Sequence, residues 1–485
     1  MDKGTKVVSN FLWRFFERFG AQLLNIIVGI ILARKLGPGP SGQIAVVLAV
    51  INILKVFADS GMANALIQKK DPDDLDFSSV FFFNLGFSMI LYLLLFFTAP
   101  QIAVFYHEES YVAILRVLGL LVVVSGLYNV QLAYVSKTMQ FKRFFFATLG
   151  GTVFSGALSI AMVYMGFGIW SLVGLQLSNF LVNTMILWFT VDWRPKKMFS
   201  FTRLRGLLSF GWKLLAASFL DTLYLQLYSL VIGRRYPKEE LGQFDKGRNW
   251  PDQITTSINA SLDSVLLPVL AAEQDNTDTL REMTRRAIKT SSYVMMPLMA
   301  GLAACATPLV RLLLKEQWLP CVPFMQIFCA IYAFYPLHTA NLNAIKAMGR
   351  SDIFLKLELV KKAVETSVLL YTLHYGVLAM ALGQLVCDIL AQLINAWPNK
   401  KLLNYPYWTQ LRDLLPCLLL SLAMAGCVLA VQLLGLPDLL TLLIQVPLGV
   451  AIYVLGSVLL KLDSFEYILS IAKKMLQKRK AGPTV

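Results

Sequence analysis

The chain has 485 residues, of which 57% are hydrophobic and only 15% are charged, and its mean hydropathy is +0.62. A water-soluble globule of this composition would expose too much apolar surface, so the sequence predicts an integral membrane protein. The net charge of +15 is explained by membrane topology and anionic lipid headgroups, and it does not indicate nucleic-acid binding. The three histidines and six cysteines lack the spacing of a metal site or a nucleophilic triad, so we predict neither metal nor cofactor.

Apolar runs long enough to cross ~30 Å of hydrocarbon occur about fourteen times along the chain. We therefore predict an all-α membrane protein with about fourteen transmembrane helices. The first run, near residue 8, lacks a signal-peptide cleavage site and is predicted to be a retained helix. The loops between the runs are short, which argues against a soluble catalytic domain and against an enzyme.

The chain also contains an internal repeat. Residues 34–43 match residues 234–243, because both begin with two cations and end with Gly-Gln. Further matches follow at a spacing of 208, such as Gly168 with Gly376. We predict two six-helix lobes, 1–200 and 201–405, followed by a segment, 406–485, with two more helices and a basic tail. An even number of helices gives both repeats the same orientation, and we expect a substrate site where they face each other.

The distribution of lysine and arginine predicts that both termini are cytoplasmic, because the cation-rich loops alternate along the chain. One predicted external loop breaks this rule, with Arg234, Arg235, Lys238, Lys246 and Arg248. Either the topology differs there or these cations serve a transport path. A further alternative is that the repeated glycines mark a shared turn and the cations cap helix C-termini.

The first apolar run carries Arg14, Arg18, Gln22 and Asn25 on one helical stripe. Arg18 would lie roughly 15 Å along the helix, near mid-membrane, where an arginine costs about 2.5 to 3.5 kcal/mol on insertion scales. We therefore predict that the stripe faces a watery cavity. Glu17 is placed to pair with Arg14, and a purely structural ion-pair network is the alternative.

Cations outnumber anions on the predicted inward stripes, which suits an anionic substrate. The predicted cavity residues are Arg14, Arg18, Gln22, Asn25, Arg34, Lys35, Lys55, Arg234, Arg235 and Arg248. The candidate carboxylates for a coupling Na⁺ or proton are Glu17, Asp59, Asp221, Asp263 and Asp388. Lys356, Lys361 and Lys362 are candidates for an inner mouth. The alternative is that Glu358–Lys362 and Lys361–Glu365 form i,i+4 ion pairs on an exposed interfacial turn. Pro297, Pro308 and Pro336 mark either hinges or static kinks.

Several dispersed segments resemble the Wzx-type polysaccharide transporter (PST) family, which exports lipopolysaccharide, colanic-acid and O-antigen units. They are residues 30–42, 57–69, 99–106, 168–173, 193–195, 209–211 and 336–349. That family is part of the MOP superfamily, with the MATE exporters and the lipid II flippase. One departure is Gly39-Pro40-Ser41, where relatives commonly have an acidic residue.

The resemblance implies a V-shaped pair of six-helix bundles with two extra C-terminal helices, working by alternating access through a cationic central cavity. It also implies an undecaprenyl-pyrophosphate-linked oligosaccharide as substrate, exported across the bacterial inner membrane. The expected partners are this lipid-linked substrate and membrane lipids, with association with glycan assembly enzymes as a further possibility.

Two alternative functions stay open from the sequence. A MATE-like antiporter of small cations would need a cavity dominated by carboxylates and aromatic rings, whereas the predicted stripes are mainly cationic. A membrane glycan polymerase or ligase would typically need a sizeable external catalytic loop, whereas the predicted external loops are short.

Overall fold

A computed structural model describes residues 3–59, 61–138, 140–273 and 276–470. Side chains are described from residue 20 onward, except at a few positions that include residues 260–265. The described chain forms helices and connecting turns, without β-strands. It packs into two compact units, Met1–Gly242 (unit 1) and Gln243–Val485 (unit 2). This division is made by packing, whereas the predicted six-helix lobes, 1–200 and 201–405, were defined by the sequence repeat. The predicted lobes stay a prediction.

Unit 1 is built from nine helices, and its last residues begin a tenth. They are α1 (Lys3–Leu36), α2 (Pro38–Asp59), α3 (Met62–Gln68), α4 (Asp74–Tyr106), α5 (Ser110–Leu118), α6 (Leu120–Lys137), α7 (Phe141–Tyr164), α8 (Trp170–Thr190), α9 (Phe201–Arg235) and the start of α10 (Lys238–Ala272). Helices α1, α7 and α8 pack side by side, and α2 packs against α6 and α9.

Unit 2 contains the rest of α10 and eight further helices. They are α11 (Thr277–Leu314), α12 (Val322–Ala333), α13 (Tyr335–Ala347), α14 (Ser351–Thr372), α15 (Val377–Ala396), α16 (Asn399–Leu402), α17 (Tyr407–Ala430) and α18 (Asp438–Leu459). Short 3₁₀ helices, Glu316–Cys321 and Val431–Leu434, precede α12 and follow α17. Pro297 and Pro308 lie inside α11, whereas Pro336 lies in the first turn of α13, next to a break in the helix.

Eleven segments of the described chain are helical, long and apolar enough to cross a membrane. Four of them join consecutive helical elements: Ser110–Lys137 across α5 and α6, Glu316–Ala347 across a 3₁₀ helix, α12 and α13, Val377–Leu402 across α15 and α16, and Tyr407–Leu434 across α17 and the 3₁₀ helix after it. Three other helices, α1, α10 and α14, have 34, 35 and 22 residues but are not among the eleven. The all-α membrane fold is confirmed, while the number of fourteen spans stays a prediction.

Aromatic packing positions the start of α4 in unit 1. The Trp193 ring packs on the rings of Phe77 and Phe81, with centroids 5.6 and 6.4 Å away. Its Nε1 atom donates to Asp74 Oδ1 at 3.2 Å. Asp73 caps α4, because its side chain accepts from the Asp76 backbone N–H at 2.9 Å. The connection from α8 to α9 is thereby fixed to the first turn of α4.

The two copies of the repeated motif lie in contact within unit 1, where α2 and α10 begin. A Cβ atom added to Gly42 would lie 1.8 Å from the carbonyl oxygen of Lys238. A Cβ atom added to Gly242 would lie 2.1 Å from the carbonyl oxygen of Pro38. Pro38 and Lys238 are themselves equivalent at the spacing of 200, so the contact is reciprocal. The repeated glycines therefore allow two backbones to cross closely.

A second glycine contact lies at the other end of α2. Gly61 has a φ angle of +67° and separates α2 from α3. A Cβ atom there would lie 2.3 Å from the carbonyl oxygen of Gly211 in α9. Both the left-handed conformation and the close backbone approach require glycine at this position. Helix α9 therefore packs closely against the turn at Gly61 that separates α2 from α3.

Ion pairs join α11 to the C-terminal helices in unit 2. Arg285 donates to both carboxylate oxygens of Asp413 in α17, at 2.6 Å each. Tyr405 donates to the same carboxylate at 2.7 Å. Arg311 pairs with Asp438 at the start of α18 at 3.1 Å. Asp413 is only 9% exposed, so this contact is the strongest of the set.

We predict that Gly42→Ala destabilises the protein, because the new methyl group would overlap the Lys238 carbonyl and force two backbones apart. The expected loss is about 1–3 kcal/mol, as for an overpacked core. Gly86→Ala is the matched control, because a Cβ atom at Gly86 has no neighbour within 4 Å. Thermal unfolding of the purified proteins in one detergent measures both. Equal melting temperatures for Gly42→Ala and wild type would contradict the close crossing.

We also predict that Asp413→Ala loosens the docking of α17 on α11. Removing three hydrogen bonds to a largely buried carboxylate is expected to cost about 1–2 kcal/mol. Asp352→Ala is the control, since Asp352 is exposed and its ion pair among the described residues is with the nearby Arg350. This substitution should leave the melting temperature unchanged. Thermal unfolding and limited proteolysis near residue 404 report the effect. The interpretation fails if both variants behave alike.

Candidate functional site

The predicted cations at residues 34, 35, 234 and 235 lie in the last turns of α1 and α9. Lys35 Nζ lies 4.6 Å from the centre of the Tyr164 ring. Arg234 Cζ lies 5.0 Å from the centre of the Phe105 ring. A helix C-terminus and an aromatic face both stabilise a cation. These contacts support the helix-cap alternative, and a role of these cations in substrate binding stays a prediction.

Each copy of the repeated motif ends in a glutamine, Gln43 or Gln243. Each glutamine hydrogen-bonds a residue in the segment that follows a long helix. In unit 1, Gln43 hydrogen-bonds the side chain of Glu108, which follows α4. In unit 2, Gln243 Nε2 donates to the carbonyl oxygen of Gln317, which follows α11, at 2.7 Å. The two partners differ in position by close to the repeat spacing of 208. The glutamine at the end of each motif therefore makes an equivalent contact in the two repeats.

Lys238, one of the predicted external cations, is neutralised within unit 1. Its Nζ atom lies 3.1 Å from Glu108 Oε2. Burial by itself raises the pKa of Glu108, but hydrogen bonds from Lys238, Ser110 and Gln43 outweigh it and hold the pKa below its ordinary value. Because this pKa is lowered, the ion pair is present at neutral pH and is lost only as the pH falls through the lowered pKa.

Arg248 and Lys246 also have interaction partners, and these lie within unit 2. Arg248 hydrogen-bonds Tyr332 and lies within electrostatic reach of Asp245 and Asp252. Tyr332 in turn donates to Asp252 Oδ1 at 2.9 Å. Lys246 Nζ lies 5.9 Å from the Trp250 ring and 5.7 Å from the Trp318 ring. Arg248 therefore has two carboxylates beside it, which reduces its availability to a substrate anion.

Lys55 is a cation of unit 1 that lies inside an apolar helix. It is half-buried in α2, and its Nζ atom lies 4.4 Å from the centre of the Phe180 ring in α8. At 1.5 Å per residue, it is roughly 26 Å from the start of α2. Asp59, one turn further on, is half-buried and makes an interaction of its own. The structure thus places both residues inside unit 1, away from the paired motifs.

The other predicted residues are dispersed. Gln22 is half-buried in α1, Asn25 is exposed there, and Asp221 is exposed on α9. Arg14, Glu17, Arg18 and Asp263 have side chains outside the described part of the structure. The arginine stripe of the first helix therefore stays a prediction from the sequence.

Lys361 and Lys362 form ion pairs within α14, whereas Lys356 is exposed. Lys361 pairs with Glu358 at 2.6 Å, and Lys362 pairs with Glu365 at 3.1 Å. These pairs join residues three positions apart, where the sequence analysis expected a spacing of four. Both spacings bring side chains onto one helix face. The pairing suits the interfacial alternative, and an inner mouth stays a prediction.

Asp388 belongs to a polar cluster in unit 2, which we call the His338 cluster. It comprises His338 of α13, Asp388, Gln392 and Asn395 of α15, and Tyr407 of α17. His338 Nε2 lies 2.9 Å from Asp388 Oδ1, and His338 Nδ1 lies 2.9 Å from Asn395 Nδ2. Gln392 Nε2 donates to Asp388 Oδ2 at 2.8 Å, and Tyr407 donates to Gln392 Oε1 at 3.2 Å.

A second polar group continues the cluster along α13. Asn341 Nδ2 donates to Gln410 Oε1 at 2.8 Å, and Asn399 Nδ2 donates to Asn341 Oδ1 at 2.7 Å. All three side chains are fully buried. Such amide pairs are worth more in an apolar interior than in water, because the alternative is an unsatisfied polar group. They fix α13, α16 and α17 to one another beside His338.

Sequence reasoning identified Asp388 but missed His338 and the amides. It considered the histidines only for metal or triad chemistry, which requires several of them. The signal was a different one: Asp388, Gln392 and Asn395 recur at helical spacing in an apolar run, as do His338 and Asn341. Two polar stripes on apolar helices predict that the stripes face each other.

Comparisons with known proteins agree with the predicted resemblance. The chain is 22% identical to the succinoglycan biosynthesis transport protein ExoT of Rhizobium meliloti, over 78% of this chain and 76% of that protein. It is 22% identical to the lipopolysaccharide biosynthesis protein WzxC of Escherichia coli, over 80% and 79%. A solved structure of the lipid II flippase MurJ, inward closed, has the same fold, with a TM-score of 0.75 at 17% identity, covering 93% of this chain and 98% of that one.

The family model described as "Polysaccharide biosynthesis protein" matches residues 31–323, which is more than half of the chain. This stretch includes both copies of the repeated motif and five of the seven segments quoted for the resemblance, together with most of a sixth. The predicted kinship with the Wzx-type transporters is confirmed. The chain belongs to the polysaccharide biosynthesis protein family.

Proposed function

We propose that this protein is a flippase that moves an undecaprenyl-pyrophosphate-linked oligosaccharide across the bacterial inner membrane. The observation that carries the proposal is the family match over residues 31–323, in a chain that shares its fold with a lipid II flippase. Relatives named for succinoglycan transport and lipopolysaccharide biosynthesis support a glycan substrate. The short loops and the transporter relatives support a transporter rather than an enzyme.

The proposed mechanism follows from the physics of the substrate. A pyrophosphate cannot cross hydrocarbon unaided, because burying its charge without partners costs too much free energy. A polar, cationic path inside the protein would replace water around the phosphates while the polyprenyl chain stays in the lipid. Alternating access would then expose this path to one side of the membrane at a time.

The proposal assigns the phosphate-facing role first to the predicted arginines of the first helix and to Lys55. Lys55 is half-buried and rests on the Phe180 ring, with no carboxylate paired to it among the described ion pairs. The proposal includes a multi-pass topology with both termini in the cytoplasm. Export would be coupled to a Na⁺ or proton gradient, and the protein would associate with glycan assembly enzymes.

Deleting the gene tests the function itself. We expect the cells to lose a surface polysaccharide and to accumulate its lipid-linked precursor on the cytoplasmic side, because the transport step between them is missing. The precursor is measured by lipid extraction and mass spectrometry, with a plasmid copy of the gene as control. Loss of organic-cation efflux with normal polysaccharide would favour an antiporter, and polymer formation by purified protein would favour a polymerase.

Lys55→Ala is predicted to reduce export about tenfold or more, as expected when one charged contact to the substrate, worth about 1.4 kcal/mol or more, is lost. Lys55→Arg should retain most of the activity, since it keeps the charge. Lys70→Ala is the control, because Lys70 is an exposed lysine just beyond α3. The measurement is surface polysaccharide at equal expression. Wild-type export by Lys55→Ala would remove Lys55 from the path.

A further inference from the structure

A groove in unit 1 runs between α3 and the first turns of α9. It has a volume of about 460 Å³, which lies in the usual range for small-molecule sites, about 300 to 1,000 Å³. Ala65, Gly206 and Leu207 form its apolar part. Close to it, one segment long and apolar enough to cross a membrane ends at Lys137, and another begins at Asp74. The groove is therefore at the level where hydrocarbon meets the lipid headgroups.

The polar lining of the groove supplies hydrogen-bond donors and two positive charges. It consists of Gln68 and Lys69 at the end of α3 and Thr202 and Arg203 at the start of α9. None of these four side chains is a carboxylate. An anion with several acceptor oxygens, such as a phosphate group, is complementary to this lining.

The two cations of the lining lie beside two carboxylates at the start of α4. Lys69 forms an ion pair with the buried Asp76. The Arg203 guanidinium lies 3.7 Å from Asp73 and 3.6 Å from Asp76, and both distances are too long for a hydrogen bond. Within the described part of the chain, this guanidinium group makes no hydrogen bond. Its donors are therefore available to a ligand in the groove.

A third cation adds positive charge next to the groove. Lys137, at the end of α6, donates from Nζ to the carbonyl oxygen of Ile67 at 2.9 Å and also to that of Lys69. Among the described ion pairs, none joins Lys137 to a carboxylate. Three cations therefore face two carboxylates, and one positive charge remains beside the groove.

The exposed face of α9 beside the groove is typical of a membrane interface. Phe201, Arg205 and Trp212 are spaced by four and seven residues, so they lie on one side of the helix. The two rings are 67% and 57% exposed, and Arg205 forms no ion pair with any described residue. Aromatic rings next to basic side chains are typical of surfaces that lie among lipid headgroups. A membrane lipid can therefore reach the groove from this face.

We propose that this groove binds one acidic phospholipid of the surrounding membrane. The lipid phosphate accepts hydrogen bonds from Arg203 and Lys69, and the first carbons of an acyl chain lie on Ala65 and Leu207. The positive charge that remains beside the groove favours a lipid with a net negative charge over a zwitterionic one. The bound lipid joins α3 to α9, and its presence does not depend on the proposed function.

Native mass spectrometry of the full-length protein released from nanodiscs tests the site. The nanodiscs contain equal amounts of phosphatidylglycerol and phosphatidylcholine with the same acyl chains. We expect the wild-type protein to retain one molecule of phosphatidylglycerol in preference to phosphatidylcholine. High salt during release should weaken this preference, because the site is at the membrane surface and its charges are screened.

Substitutions of Arg203 test the charge. Arg203→Ala should weaken the retention of phosphatidylglycerol about fivefold, which is the contribution of one basic residue near an anionic membrane surface. Arg203→Lys should keep most of the retention, since it keeps the charge. Arg281→Ala is the matched control, because Arg281 also lies near the start of a long helix, with Asp278 3.4 Å away, and it should retain the lipid as the wild type does.

Gly206→Leu fills the groove without changing a charge. A Cβ atom at Gly206 has no neighbour within 4 Å, and leucine is a better helix former than glycine, so this variant should fold. Gly86→Leu is the matched control, since a Cβ atom at Gly86 also has no neighbour within 4 Å. We expect Gly206→Leu to lose both the bound lipid and the rise in melting temperature that added phosphatidylglycerol gives the wild type. Gly86→Leu should keep both.

Three results would overturn the proposal. The first is equal retention of the two lipids by the wild-type protein, and the second is equal retention of phosphatidylglycerol by Gly206→Leu and the wild type. The third is displacement of phosphatidylglycerol by undecaprenyl pyrophosphate, which would assign the groove to the transported lipid. Soluble glycerol phosphate should not displace phosphatidylglycerol at an equal concentration, because it lacks the acyl chains. The gene-deletion test of export is independent of all these measurements.

Discussion

The close backbone crossing of Gly42 and Gly242 is the constraint on which the arrangement of unit 1 depends. Each glycine faces a carbonyl oxygen of the other motif, Lys238 or Pro38, at a distance that no side chain would permit. The crossing fixes where α2 and α10 begin, and the contact of Gly61 with Gly211 fixes the far end of α2 against α9. Helix α2 is therefore held at both ends by backbone contacts, and the position of Lys55 along it follows from these two points.

Several cations at helix ends have partners within the protein. Lys238 pairs with the Glu108 carboxylate, and Arg234 and Lys35 lie over the Phe105 and Tyr164 rings. Such cations need no substrate to explain them. Other charged side chains lie inside helices, among them Lys55 on the Phe180 ring and Asp388 beside His338. Charges that cost most to bury are the ones that a transport function would have to justify.

The fold class, the family and the repeated motif could be predicted from the sequence. They depend on the composition and on matching residues spread along the chain. It predicted that Gly42 and Gly242 were equivalent but could not predict that they touch, since a contact between two turns 200 residues apart has no local signal. It placed Lys246 and Arg248 in an external loop or on a transport path. Asp252 lies one turn from Arg248 on α10 itself, but the contact of Arg248 with Tyr332, which comes from a different helix, was not found. The pairing of Asp388 with His338 was missed for the same reason. The stripe of Arg14 and Arg18 was the sharpest prediction from the sequence, and it lies outside the described side chains.

The repeat relates the two unusual buried charges to each other. At the spacing of 200, Lys55 and Asp59 correspond to Thr255 and Asn259, which carry no charge. At the spacing of 208, the Phe180 ring beneath Lys55 corresponds to Asp388. The charged positions of the two repeats therefore do not correspond: a lysine lies on the second helix of one repeat, and a carboxylate beside a histidine lies near the end of the other. Since the equivalent positions hold Thr255 and Phe180, the repeated helix pattern forms without a charge at either place, and neither charge is required by the repeat itself.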